Sequence, residues 1–212
     1  MKKQIAFFGG TSGLGTQVIE YLKDYDVDSV GSAKVNLLNE VEIDDYFKNN
    51  TPDIVIIFSN YNYNSFLHKY SEFEELDKQL DINIKGVTKV ISKSLSHMRT
   101  NKYGRIILAS SITSDRSVIG TSLYASSKSY YESIVKTICI ENARSNITAN
   151  CIQLGYMDGG LTYTLPSKFI ENTIESIPAH RLGTSEEIYK TLDFLINNSY
   201  INGTTIKLTG GL

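Results

Sequence analysis

The chain of 212 residues has few of the residues that build metal, disulfide or polyanion sites: two cysteines, three histidines and no excess of either charge, with 21 Lys and Arg against 23 Asp and Glu. Cys139 and Cys151 fall in segments that read as helix and strand, so they are expected to be small core residues rather than a disulfide or metal pair. His68, His97 and His180 have no ligand spacing, and no metal site is expected. Without a basic run to follow a phosphate backbone, nucleic acid is an unfavoured partner. No apolar stretch nears the ~18 residues needed to cross a bilayer. The opening Met1-Lys2-Lys3-Gln4-Ile5-Ala6-Phe7-Phe8 is too short in its apolar part for a secretory leader. A soluble, cytoplasmic protein without a membrane partner is expected. No low-complexity linker or internal repeat divides the chain, and with 41% apolar residues one domain over residues 1–212 is the expectation.

What is present is strand and helix in alternation. Ile5 to Phe8 is a short apolar run ended by glycines, and Val18 to Leu22 continues a helical face beyond that turn. Val27 to Gly31 reads as a weak strand and Val41 to Asn49 as a helix. The run Asp53 to Phe58 has the near-continuous β-rich character of a strand buried on both faces of a parallel sheet. An apolar stripe through Leu76, Leu80, Ile84, Val87, Ile91, Leu95 and Met98 predicts one long helix. Strand Ile106 to Ala109, helix Ser122 to Asn142, strand Ile147 to Leu154, helix Ser185 to Ile196 and strand Thr204 to Leu208 complete the series, with Thr184 and Glu187 as a capping box. The pattern predicts an α/β fold: one doubly wound Rossmann domain, a mainly parallel sheet of about seven strands and helices on both faces. Ligand is expected at the carboxyl ends of the strands.

Chemistry enters with Tyr124 and Lys128. Residues i and i+4 share a helix face, so an ammonium stands beside a phenol, and a nearby positive charge favours the phenolate. Carbonyl reduction needs such a proton donor next to a hydride donor. Upstream, Gly9-Gly10-Thr11-Ser12-Gly13-Leu14-Gly15 follows a strand and opens a helix, where bare backbone can approach a pyrophosphate.

With Ser111 ahead of Tyr124, after the strand-like run Arg105 to Ser111, and Asn83 in Asp81-Ile82-Asn83-Ile84, the chain resembles the short-chain dehydrogenase/reductase family along its length. Its final stretch, Arg181-Leu182-Gly183-Thr184 and then Tyr200 to Leu212, resembles members that act as 3-oxoacyl-acyl-carrier-protein reductases. The resemblance implies an NAD(P)-dependent enzyme that interconverts a ketone and a secondary alcohol. Tyr124 would exchange the proton, Ser111 hold the carbonyl oxygen, Lys128 lower the phenol's pKa and bond the nicotinamide ribose, and Asn83 secure a water. It also implies a homodimer or homotetramer.

The cofactor residues implied are Gly9, Thr11, Ser12, Gly13, Leu14 and Gly15 at the turn, then Ser32, Lys34, Asn36 and Leu37 after the second strand. Ser59 and Asn60 follow the third strand, Gly155 and Met157 the fifth, and Tyr124 and Lys128 complete the set. NADP is preferred over NAD, because no carboxylate stands at Val30-Gly31-Ser32-Ala33-Lys34 to repel a 2′-phosphate and Ser32 and Lys34 could contact one. The chain departs from the family at Phe8, Phe58, Leu154 and Gly159, with local bonds expected to be rebuilt by Ser59, Asn60 and Thr162. Residues 155–181 stand where the family carries a substrate lid. Substrate-lining candidates are Ser111, Tyr61 and Tyr156, with Tyr63, Ser114, Tyr163 and Leu165; aromatic faces with hydroxyl tips suit a sugar-like ring, an apolar wall an acyl chain. The competing readings are a sugar epimerase or dehydratase, for which the chain lacks a larger substrate domain, and a dinucleotide-binding sensor or partner-binding protein without turnover.

Overall fold

The computed structural model describes residues 2–70 and 73–212. Its sheet has six strands: β1 (Gln4–Phe8), β2 (Asp26–Val30), β3 (Ile54–Ile57), β4 (Gly104–Ser111), β5 (Ile147–Leu154) and β6 (Thr205–Leu208), in the order β2-β1-β3-β4-β5-β6. Every pairing is parallel.

About seven strands were expected from the pattern, and the described residues contain six. The order identifies the difference. A dinucleotide-binding sheet ordinarily runs 3-2-1-4-5-6, with a further strand outside the second. Here β2 is the edge, and the chain passes through residues 31–39 directly into helix α2 (Glu40–Asn49). A parallel crossover takes a dozen or more residues, so that link is too short to hold a helix and another strand.

Strand side chains divide between two apolar layers. Ala6, Phe8, Val55, Ile57, Ile106 and Leu108 face helices α2, α4 (Val87–Asn101) and α5 (Ser122–Asn142), meeting Ile43, Val87, Ile91, Tyr131 and Val135. Ile5, Phe7, Ile54, Ile56 and Ile107 face α1 (Gly13–Ile19) and α7 (Ser185–Asn197), meeting Val18, Ile188 and Leu192. All four residues of β3 are 0–1% exposed, as a strand covered on both faces must be.

The long helix is where the sequence reading needs correction. The apolar stripe is carried by α3 (Phe73–Leu80), a π-helical turn (Asp81–Gly86) and α4, not by one regular helix. A π turn adds a residue to the helical repeat and shifts its phase. Leu80 is therefore 38% exposed while Val87, Ile91 and Met98 are 0–2% exposed. The same shift turns Asn83 fully inward and puts Gly86 so close to the Leu37 carbonyl that a Cβ would lie 2.6 Å from it.

Helix α7 begins with the expected capping box, in which the Thr184 side chain accepts from the Glu187 N–H and Glu187 accepts from the Thr184 N–H. Arg181 adds a two-pronged contact to Glu187 at 2.6 and 3.0 Å. That guanidinium, with the Thr184 N–H, holds the Glu187 carboxyl down at about 2. Among the described residues, no helix is long and apolar enough to cross a membrane.

Candidate active site

The sheet changes winding direction between β1 and β3, and a cleft of about 810 Å³ opens over their carboxyl ends and continues over β4 and β5. Its floor starts at the glycine turn. Gly9 has φ +89°, and a Cβ there would lie 2.5 Å from the Ser59 nitrogen; a Cβ on Gly15 would lie 2.0 Å from the Gly9 carbonyl oxygen. Both positions therefore require glycine for close backbone approach. Gly13, at φ +54°, would meet just Gly160 at 3.4 Å, so its backbone faces the cleft. This is a cradle with room for a pyrophosphate against bare N–H groups.

Phe8 and Phe58 do not disturb the turn. The Phe8 ring is buried against Tyr46 and Phe47, and Phe58 sets an edge on Phe7. The Phe8 carbonyl accepts from the Phe58 and Ser59 N–H groups at 2.8 and 3.0 Å. Backbone thus makes most of the bonds expected from the Ser59 and Asn60 side chains; Asn60 adds one, donating to the Phe58 carbonyl at 3.3 Å.

After β2, Gly31, Ser32, Val35, Asn36 and Leu37 line the cleft, and Lys34 does not. The Lys34 ammonium lies 2.5 Å from Asp28, a carboxylate that also accepts from the Tyr46 hydroxyl at 2.8 Å.

The chemical end is built by β4 and α5. Tyr124 and Lys128, one turn apart, both line the cleft, with the Lys128 ammonium 5.3 Å from the centre of the Tyr124 ring. Lys128 is 2% exposed and donates to the Ala109 carbonyl at 2.8 Å. Burial brings the ammonium down to about 7. Burial also raises the Tyr124 phenol, and the Ser111 hydroxyl opposes that rise. The expected lowering of the phenol by Lys128 is not seen: desolvation governs, and Ser111 is the group that opposes it.

Ser111 ends β4 and accepts from the Thr113 N–H at 3.3 Å and the Thr113 hydroxyl at 3.1 Å. With its acceptor sites so occupied, its own proton is left to donate toward an oxygen in the cleft.

Asn83 lies behind this surface. Its Oδ1 accepts from the Tyr61 N–H at 2.7 Å, and its Nδ2 donates to the Tyr61 carbonyl at 2.8 Å. The side chain clamps the loop after β3.

At the far end, Gly155, Tyr156, Met157, Thr162 and Leu165 line the cleft together with Phe169 from α6 (Ser167–Ser176). The Gly155 N–H donates to the Leu208 carbonyl at 2.9 Å. Of the tyrosines suggested by sequence, Tyr61 and Tyr156 reach the cleft. Tyr163 is 63% exposed and bonded to Asp158, Tyr63 packs on Tyr70, and Ser114 turns away toward Glu132. The expected tyrosine-rich wall does not assemble.

Sequence reasoning missed Thr113, Asn62, Asn64 and Lys78 as lining residues. Lys78 was legible as one turn before Ile82 on the helix that carries Asn83, and its ammonium sits 4.3 Å over the Tyr61 ring. Among the described lining residues, the ionisable basic groups are Lys78 and Lys128, and no carboxylate accompanies them.

The family model described as Enoyl-(Acyl carrier protein) reductase matches residues 49–212. The chain is 31% identical over 150 residues to the 3-oxoacyl-[acyl-carrier-protein] reductase MabA of Mycobacterium tuberculosis (strain ATCC 25618 / H37Rv), a match covering 70% of this chain and 60% of that protein. It is 30% identical over 137 residues to an acetoacetyl-CoA reductase of Synechocystis sp., covering 63% of this chain and 57% of the relative. The matches to these curated relatives thus span about three fifths of their length. Two solved structures share the fold: ElxO with NADP bound, at TM-score 0.87 and 23% identity, and a small-chain dehydrogenase in complex with NADPH, at 0.88 and 22%. Each comparison covers 100% of this chain and 98% of the other.

Proposed function

The chain belongs to the short-chain dehydrogenase/reductase family, and from that premise we propose that it is an NAD(P)-dependent oxidoreductase interconverting a ketone and a secondary alcohol. One observation carries the reading: the Ser111 and Tyr124 hydroxyls and the Lys128 ammonium meet in a cleft whose other end is the Gly9 to Gly15 cradle. Binding alone does not require that trio.

A bound nicotinamide would supply hydride to the carbonyl carbon. The chain's own residues do the rest. Ser111 donates a hydrogen bond to the carbonyl oxygen, which gathers negative charge as the C–O π bond opens. Tyr124 gives that oxygen its proton, and in the oxidative direction takes one from the alcohol. Lys128, brought to about 7 by burial, is poised to gain or lose a proton near neutrality and so to recharge the phenol. Asn83 holds Tyr61, and with it the loop carrying Ser59 and Asn60, in place. Residues 155–181 cover the substrate end as a lid, with Leu165 and Phe169 excluding water.

The substrate reading favours a 3-oxoacyl thioester over a sugar-like ring. MabA and the acetoacetyl-CoA reductase support it by name, and the lining of Leu161, Leu165, Phe169 and Val118 supports it by chemistry. NADP is preferred because no carboxylate is among the described lining residues and Ser32 faces the cleft; Lys34, held by Asp28, no longer contributes to that preference. A cytoplasmic homo-oligomer of single-domain subunits is the remaining part of the proposal.

The test is titration of the protein with NADPH and NADH, followed by a panel of 3-oxoacyl thioesters and keto-sugars. Oxidation of one cofactor by a thioester is expected. Binding without turnover would favour the dinucleotide sensor, and absence of binding to either cofactor, reduced or oxidised, would sink the enzyme reading in favour of a partner-binding protein.

A further inference from the structure

Next to Ser111, a single carboxylate that is not among the residues lining the cleft collects donors from three separate parts of the chain. Glu132 Oε1 accepts from the Ser110 hydroxyl at 2.5 Å, the Ser114 hydroxyl at 2.6 Å and Gln153 Nε2 at 3.2 Å. Ser110 belongs to β4, Ser114 to the 3₁₀ turn Ile112–Ser114 that follows Ser111, and Gln153 to β5. Ser110 and Gln153 are 2% and 1% exposed, so their donors have no solvent to turn to. The Ser114 hydroxyl also lies 2.7 Å from the Ser111 carbonyl and accepts from Gln153 at 2.9 Å. Asp115, the next residue, pairs with Lys207 of β6.

We propose that Glu132 is a positioning residue for Ser111, gripping the chain on both sides of that serine and thereby fixing the direction in which its hydroxyl donates. The inference rests on the reading that Ser111 holds the substrate oxygen. Glu132 lies on α5 one turn beyond Lys128 and two beyond Tyr124, so one helix supplies the proton donor, the cation and the brace for the oxygen-holding serine. The one proton of the Ser114 hydroxyl is shared between Glu132 and the Ser111 carbonyl, which keeps that carbonyl beside the carboxylate, the Ser110 side chain is tied directly, and Thr113 occupies the acceptor sites of Ser111 itself. What remains free is the serine proton, and its aim depends on the backbone that Glu132 holds.

Hydrogen exchange and kinetics on the full chain test this. In Glu132→Leu, three donors, two of them buried, lose their common acceptor, and amide exchange over residues 112–116 is expected to quicken roughly tenfold while α7 stays protected. Glu132→Gln keeps a carbonyl oxygen and is expected to stay within about threefold of wild type. Carbonyl reduction by Glu132→Leu should fall roughly tenfold in kcat with NADPH affinity within about twofold, and should fall little further when Ser111→Ala is already present. A loss of equal size in both backgrounds, or unchanged exchange over 112–116, would overturn the proposal. Should Glu132→Leu fail to fold, Ser114→Ala, which removes one of the three donors to Glu132 together with the contact to the Ser111 carbonyl, is expected to move exchange and kcat in the same direction, and no movement would overturn it equally. A loosened turn in a protein whose wild type reduces no carbonyl would overturn the reductase reading while supporting the grip of Glu132 on the turn.

Discussion

At the β1 and β2 end of the cleft, the ligand-facing surface is backbone and small side chains, whereas at the β4 and β5 end it is made of side chains held by other side chains. Gly9, Gly13 and Gly15 shape the first end by what they lack, and the Phe8 carbonyl ties it to the loop after β3. The second end has Lys128 on the Ala109 carbonyl, Thr113 on Ser111, and Glu132 behind Ser110 and Ser114. The first end suits a ligand that brings its own charge. The second suits a reaction in which charge develops on an oxygen and must be met by fixed donors. Binding and turnover should therefore separate when each end is altered alone.

The sharpest separation is expected from Tyr124→Phe, which removes a proton donor and leaves the cradle untouched. Steady-state reduction should drop about 10³-fold, within the range general acid catalysis supplies, with NADPH affinity unchanged by fluorescence titration. A variant that still turns over at the wild-type rate removes Tyr124 from the chemistry.

Gly15→Ala is the converse. Its Cβ would sit 2.0 Å from the Gly9 oxygen and 2.9 Å from the Gly10 Cα, and backbone must shift to admit it. NADPH affinity is expected to fall roughly a hundredfold, while hydrogen exchange in α5 stays at the wild-type level. Intact affinity would show that the turn is tight for packing alone.

Lys128→Met tests what the chemical end costs. With its ammonium near 7 when folded against ~10.4 when unfolded, the folded state holds fewer protons than the unfolded one between those values. Stability therefore rises with pH across that window, and the burial cost is felt in full below it. The methionine variant should be inactive yet more stable by about 2 kcal/mol at pH 6, the gain shrinking toward pH 10. Denaturant midpoints at both pH values measure it, and a variant less stable at pH 6 contradicts it.

The two ends also differ in how far the sequence disclosed them. Helix α5 and strand β5 have the bounds read from the pattern, Ser122–Asn142 and Ile147–Leu154, because turn signals flank both and their apolar faces are continuous. The Tyr124 and Lys128 pair was legible for the same reason, since helical spacing alone puts both on one face. Glu132 was not, because its partners lie on β4, β5 and a 3₁₀ turn, and spacing along one helix says nothing of them. The π turn at Asp81–Gly86 escaped because spacings of three and four persist across it while the phase slips. That the described residues hold six strands and not seven had left a trace in the short link after β2, but an edge position is a property of the sheet, not of that strand's own residues. Lys34 was ambiguous in the sequence because a basic residue after β2 fits both a 2′-phosphate and Asp28, and in this structure its ammonium lies at Asp28.

That last point yields the smallest effects and the finest division within the cofactor end. Ser32 faces the cleft and Lys34 does not. A carboxylate introduced by Ser32→Asp stands where a 2′-phosphate would approach, and is expected to weaken NADPH roughly tenfold with little change for NADH, because repulsion acts on one ligand alone. Lys34→Ala removes an exposed ion pair, 50% and 33% exposed on its two sides, of a kind that contributes about 0–1 kcal/mol. It should leave the ratio of NADPH to NADH affinity within about twofold. A tenfold fall in that ratio for Lys34→Ala would mean that the lysine leaves Asp28 when the phosphate arrives, and would move the seat of cofactor choice from the shape of the cleft to a side chain at its margin.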